Sequence, residues 1–193
     1  METLDFIRNG GETRRYHTIP VLRSQNVAEH SFHVAMLCSW LVGHSVPGIG
    51  AALLMAALTH DLAEHKMGDL PAPVKRSLPD YEQSEGEARP FRQVWDDLEQ
   101  EHLEAAELNW DHVLTPFERR ILKLADAAEG CLYCIRERAM GNRLITEVFG
   151  NFLSYTEKLI NDRTVGVNEA QCDQEATLLA YINFEWSKAN DPA

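Results

Sequence analysis

The sequence is short of strand signals, of basic residues and of long hydrophobic runs. Strand-like alternation is nearly absent, whereas apolar spacings of three and four recur, so an all-α fold is expected. Lys and Arg number 18 against 30 Asp and Glu, a formal net charge of −12. So acidic a chain excludes a large electrostatic footprint on nucleic acid, and an anionic substrate would need a local cationic pocket. No apolar run approaches a membrane span and the N-terminus carries no signal-peptide pattern, so a soluble, cytoplasmic protein with no membrane partner is expected. Four cysteines in 193 residues do not make a disulfide framework. With 45% hydrophobic residues and no repeat or low-complexity segment, the chain can build a core as a single domain over residues 1–193.

What is present is helical. Met1 to Arg8 reads as a short helix closed by Asn9-Gly10-Gly11. Glu12 to Gln25 has no period and reads as an extended connection. Asn26 is a predicted N-cap, and Val27, His30, Val34, Leu37 and Leu41 form the stripe of the next helix, ended by Pro47-Gly48. Ile49 to about Glu64 is apolar on most faces and reads as one buried helix. Pro71, Pro73 and Pro79 make a loop. The Glu-rich stretch Asp80 to Leu108 reads as one or two exposed helices, interrupted near Pro90. Thr115-Pro116 opens a helix with the stripe Phe117, Ile121, Leu124, Ala128 and Ile135. Two more helices are predicted at Ile145 to Leu159 and Glu169 to Trp186, in a bundle with short loops.

Three of these helices place a polar residue where an apolar one belongs. His30 lies on its helix's stripe, Asp61 continues the line of Leu54 and Leu58, and Asp126 falls one turn after Leu122. The adjacent pair His60-Asp61 closes an apolar run, which packing alone does not explain. Imidazole and carboxylate donors suit a divalent cation such as Mn, Co, Zn or Fe, and a cation removes the cost of burying such carboxylates. Taken singly, each has a bland reading: a satisfied core histidine, an exposed mid-helix acid. Cys131 and Cys134 form a lone C-x-x-C expected to be core packing. The run Asp96 to Glu107 is expected to be a solvated helix face. His65 is expected to be exposed or peripheral.

The order His30, His60-Asp61, Asp126 resembles the pattern of HD-domain metal-dependent phosphohydrolases. It is similar above all to bacterial 5'-deoxynucleotidases and the related phage dATP triphosphohydrolases. Arg15-Tyr16 resembles their Arg-aromatic pair, and "NVAEHS", "GDLPAPVK" and "KLADAAEG" resemble their signature blocks, over roughly Arg14 to Asn142. The resemblance implies an HD-domain helical bundle and a metal-dependent enzyme. It implies His30, His60, Asp61 and Asp126 as ligands of a divalent ion (Co, Mn, Zn or Mg), with His33 supporting rather than ligating. Glu64, one turn beyond Asp61, is the expected acid/base, with Asp69 assisting proton transfer or holding the sugar hydroxyl. Arg15, Lys75 and Lys123 are expected to hold phosphate, with Arg14 a weaker choice than its neighbour. Tyr16 is expected to pack on the sugar or base; the resemblance associates an aromatic here with rejection of a ribose 2'-hydroxyl, and Tyr, smaller than Trp, implies a looser discrimination.

The implied reaction is hydrolysis of a small-molecule 2'-deoxynucleotide at the α-phosphate. "RRYHT" stands nearer the phage-encoded branch, where the bacterial enzymes carry Trp-Pro in place of Tyr16-His17. That favours release of triphosphate from dNTP, dATP first. The alternative is a 5'-deoxynucleotidase releasing phosphate from dNMP. A phosphodiesterase on a cyclic or signalling nucleotide is disfavoured by the Arg15-Tyr16 and "GDLPAPVK" blocks. A non-catalytic nucleotide sensor is disfavoured because the ligands and Glu64 are all present. A homo-oligomer is expected, with Val148 to Leu153 as an exposed apolar segment for it.

Overall fold

The computed structural model describes residues 2–43, 50–71, 74, 77–79, 89–162 and 168–191. Its helices are α1 (Glu2–Glu12), α2 (Val27–Val42), α3 (Ala51–Thr59), α4 (Glu64–Met67), α5 (Phe91–Ala105), α6 (Pro116–Ala139), α7 (Thr146–Asn161) and α8 (Glu169–Asn190). No strand forms among the described residues beyond one isolated bridge, Arg14 with Asn26. None of the described helices is long and apolar enough to cross a membrane.

α6 is the spine, with α2, α3, α7 and α8 packed around it. The predicted cap holds: Thr115 Oγ1 accepts from the Glu118 amide, Glu118 returns the bond to the Thr115 amide, and Pro116 occupies the first turn. Its apolar face supplies Ile121, Leu124 and Ala128, all without solvent exposure, to a core shared with Val34, Leu41, Leu53 and Ile182. Each fully buried Leu or Ile here contributes about 1.5–3 kcal/mol. Cys131 and Cys134 lie in this core, as packing predicted. Asn26 caps α2 by accepting from the Glu29 amide at 2.8 Å.

A second, smaller cluster gathers Phe6, Val27, Leu62, Ala63, Leu103 and Ala106, and so joins α1, the segment after α3 and α5. It explains a departure from the sequence reading. α1 does not stop at Asn9 but runs through Gly10 and Gly11 to Glu12. Gly10 is there for closeness: a Cβ on it would meet the Leu62 carbonyl oxygen and Cδ2 at 2.8 Å. The glycine pair reads as a stop but serves as a contact.

Three further expectations are corrected. The helix expected over Ile49 to Glu64 breaks after Thr59. Tight bonds from the Leu62 amide to the Thr59 carbonyl (3.0 Å) and from the Glu64 amide to the Asp61 carbonyl (3.1 Å) replace the α ladder. The line through Leu54 and Leu58 is therefore not buried throughout, and Leu58 is 41% exposed. Val148 to Leu153 is not an exposed apolar strip: Phe149 is buried and stacks on Trp186 at 3.6 Å, and Phe152 packs against the core. His65, expected to be exposed or peripheral, is half-buried and edge-on to Phe6 at 4.5 Å. Of the stretch Asp80 to Leu108, residues 80–88 lie outside the described residues, and α5 starts directly after Pro90, where an interruption was expected.

Candidate active site

The tightened turn after α3 carries His60 and Asp61, which face α2 and α6. His30 Nε2 lies 3.1 Å from Asp126 Oδ1 and 3.5 Å from Asp61 Oδ2. His60 Nε2 lies 3.3 Å from Asp61 Oδ1, and the two imidazole rings are 5.4 Å apart. Donor atoms of His30, His60 and Asp126 all fall within 4.8 Å of one another. Asp61 adjoins this group and forms an ion pair with Arg15.

The donor set fits a cation. Each histidine uses Nδ1 elsewhere: His30 toward Glu129 Oε2 at 2.7 Å, His60 toward the Ala57 carbonyl at 2.9 Å. Nε2 of both is buried without an aligned hydrogen-bond partner. Two imidazole nitrogens without an aligned partner thus converge on two carboxylates, one of them already paired with Arg15, an arrangement that a divalent ion would complete.

Charge in the site is tightly coupled. Burial would raise the Asp126 carboxyl, but the close approach and charge of His30 carry it down to about 2. Burial also opposes ionisation of Asp61, yet His60, Arg15 and His30 lower it. His30 is pulled down by burial and by Arg15, and is carried up to about 9 by Asp126 and Glu129. Glu64 behaves oppositely: burial, then the charge of Asp61, pushes it up to about 10, so it is a neutral acid at pH 7. Its Oε2 is buried and unbonded.

The structure thus brings His30, His60, Asp61, Asp126, Arg15 and Glu64 together. Tyr16 lies beside them with the Arg15 guanidinium 5.8 Å from its ring centre. Asp69 stands in the segment after α4, 3.6 Å from His17 Nδ1. Lys123 is exposed, three residues before Asp126 on α6. Lys75 lies outside the described residues.

Glu129 is the residue that sequence reasoning missed. It is 3% exposed, braces His30, and accepts from Gln25 Nε2 at 2.7 Å, with His33 Nδ1 3.4 Å away. His33 therefore supports the carboxylate that braces His30. The available signal was an acid one turn after Asp126 among Ala125, Ala127, Ala128 and Gly130, where nothing else is charged.

Comparison with known proteins gives this site a family. The family model described as 5'-deoxynucleotidase YfbR-like matches residues 6–170. The chain belongs to the YfbR-like 5'-deoxynucleotidase family. Curated relatives named 5'-deoxynucleotidase YfbR, from Escherichia coli O1:K1 and O45:K1, are 35% identical over 134 residues. That match covers 63% of this chain and 65% of theirs. Among solved structures, the cyanophage S-2L HD phosphohydrolase DatZ, bound to dA and one catalytic Zn2+ ion, superposes with a TM-score of 0.65 at 22% identity, over 95% of this chain and 96% of its own. A Pyrococcus horikoshii protein gives 0.67 at 17% identity, over 95% and 98%. An HD-domain phosphohydrolase from Listeria innocua gives 0.58 at 16%, over 95% and 98%. The HD-type helical bundle expected of the YfbR-like chain is thus the fold observed.

Proposed function

We propose that the protein is a metal-dependent phosphohydrolase acting on 2'-deoxynucleotides at the α-phosphate. The observation that carries this reading is the pair of buried, unpartnered Nε2 atoms of His30 and His60 facing Asp61 and Asp126. These four residues would hold the ion, and the zinc named for the cyanophage enzyme makes Zn2+ the first to test. Such an ion acidifies water and neutralises phosphate charge. Arg15 is placed to exchange Asp61 for a phosphate oxygen, since a guanidinium binds both anions in the same forked geometry. Glu64, kept neutral by burial, is placed to give its proton to the departing 5' oxygen. Tyr16 is the surface for the sugar.

Of the two phosphate counts, we favour the monophosphate, which the family description supports. Release of triphosphate from dNTP, dATP first, is the second reading and rests on "RRYHT". A homo-oligomer and a single-domain chain belong to the same proposal; light scattering and limited proteolysis test them. The deciding assay incubates the protein with Zn, Mn or Co and a panel of dNMPs, dNTPs and their ribonucleotides. Phosphate from dNMP is expected. Triphosphate from dNTP would select the second reading, and no turnover of any deoxynucleotide would end both. In the Glu64→Gln variant kcat should fall about 100-fold or more with KM little changed.

A further inference from the structure

Tyr16 has φ 57°, a left-handed backbone that a bulky side chain adopts only when its surroundings enforce it. The enforcing groups are visible. The ring of Tyr133 lies flat against that of Tyr16, centroids 4.2 Å apart and planes 4° from parallel. Phe152 meets the Tyr16 ring edge-on at 6.4 Å. Phe152 in turn occupies the space over Gly130, where a Cβ would come within 2.6 Å of its ring.

Tyr133 is itself fixed at its far end. It is 2% exposed, and its hydroxyl donates to the Arg23 carbonyl at 2.5 Å. The same loop is clamped by fully buried Glu137, which accepts from the amides of Leu22 (2.7 Å) and Arg23 (2.8 Å) and from Asn142 Nδ2 (2.7 Å). Asp126, Glu129, Tyr133 and Glu137 follow one another at helical spacing along one face of α6. Ligand, brace, platform and clamp are therefore built on one rigid element.

We propose that Tyr133, with Phe152 at the edge, is a positioning residue that fixes the plane of the Tyr16 ring and so sets the sugar selectivity of the site. The proposal rests on the reading that Tyr16 meets the sugar. Tyr133 touches no substrate; it acts through Tyr16. The Tyr16 ring meets Tyr133 on its face and Phe152 at its edge, both favoured aromatic contacts, and tilting the ring would give up the first. A ring free to tilt would leave room for a 2'-hydroxyl, so loosening the stack costs discrimination before it costs binding of the deoxy sugar.

The experiment measures binding of dAMP and of AMP, each as its non-hydrolysable 5'-phosphonate analogue, by calorimetry on the full, metal-loaded chain. Kd ratios are compared for the wild type, Tyr133→Leu, Tyr133→Phe and Tyr16→Leu. The wild type should prefer dAMP. Tyr133→Leu should shrink that preference about three- to tenfold, and Tyr133→Phe, which keeps the flat ring, should retain most of it. A role in packing alone would lower the melting temperature of Tyr133→Leu and leave the ratio unchanged, which would overturn the proposal. So would a Tyr133→Phe variant that loses as much preference as Tyr133→Leu. If Tyr133→Leu does not fold, Phe152→Leu takes its place: a reduced preference supports the proposal and an unchanged one overturns it. Loss of preference in Tyr16→Leu with none in the Tyr133 and Phe152 variants overturns this proposal and leaves the role of Tyr16 standing. A wild type without preference removes both.

Discussion

Two constellations of charge lie along α6, and they are opposites. Near its start, Arg120 meets Glu175 of α8 through two bonds, Nη1 to Oε1 at 2.6 Å and Nη2 to Oε2 at 2.8 Å, and Nη2 also reaches the Leu159 carbonyl at 2.8 Å. Only Arg120 Nε is left over. Further along the helix, Asp126 stands among His30, His60 and Asp61, where the acids pair only in part and both Nε2 atoms are unanswered. Both regions are ionic; the first is buried, whereas in the second the Asp126 side chain is 39% exposed. The first closes on itself and ties α6 to α8. The second keeps donor capacity in reserve, and unspent capacity marks a site rather than a strut.

The comparison can be broken in order of effect. Asp126→Ala should abolish bound metal and turnover, leaving melting temperature of the metal-free protein close to wild type; metal analysis beside calorimetry reads both. Glu175→Ala should do the reverse. It strands a buried guanidinium and costs about 3–5 kcal/mol in urea unfolding, with metal stoichiometry unchanged. If instead Glu175→Ala emptied the metal site, the two regions would not be separate. Glu129→Gln sharpens the contrast. It keeps the volume but weakens the brace on His30, and metal affinity should fall about 10- to 100-fold in competition with a chelator.

Smaller still, the double change Arg120→Met with Glu175→Leu should move stability by about 1 kcal/mol or less, because a closed pair is replaceable by packing. Least of all, the thiols should be silent. Burial pushes Cys38 and Cys131 up to about 12, so both stay protonated at pH 8. Neither should react with a disulfide reagent until the chain unfolds.

Legibility in the sequence followed the range of the interaction. Thr115 and Pro116 announced the start of α6 because a cap is made within one turn. His30, His60-Asp61 and Asp126 could be named because each breaks a local apolar pattern. Glu129 could not, since its role depends on His30, 99 positions away. The Tyr16 platform failed for the same reason: an aromatic at position 133 looks like core until the loop that folds over it is known. The end of α3 was misplaced because its apolar run continues past the point where the backbone tightens. Gly10 was misread because glycine signals permission, and the permission was used for contact.

That contact reaches further than its place in the chain suggests. Leu62, pressed against Gly10, immediately follows Asp61, so the amino-terminal helix acts as a wedge behind the bend that carries His60 and Asp61. A single added methyl at position 10 would push on that bend from outside. A site assembled from the middle of the chain thus has its back wall supplied by the opening residues.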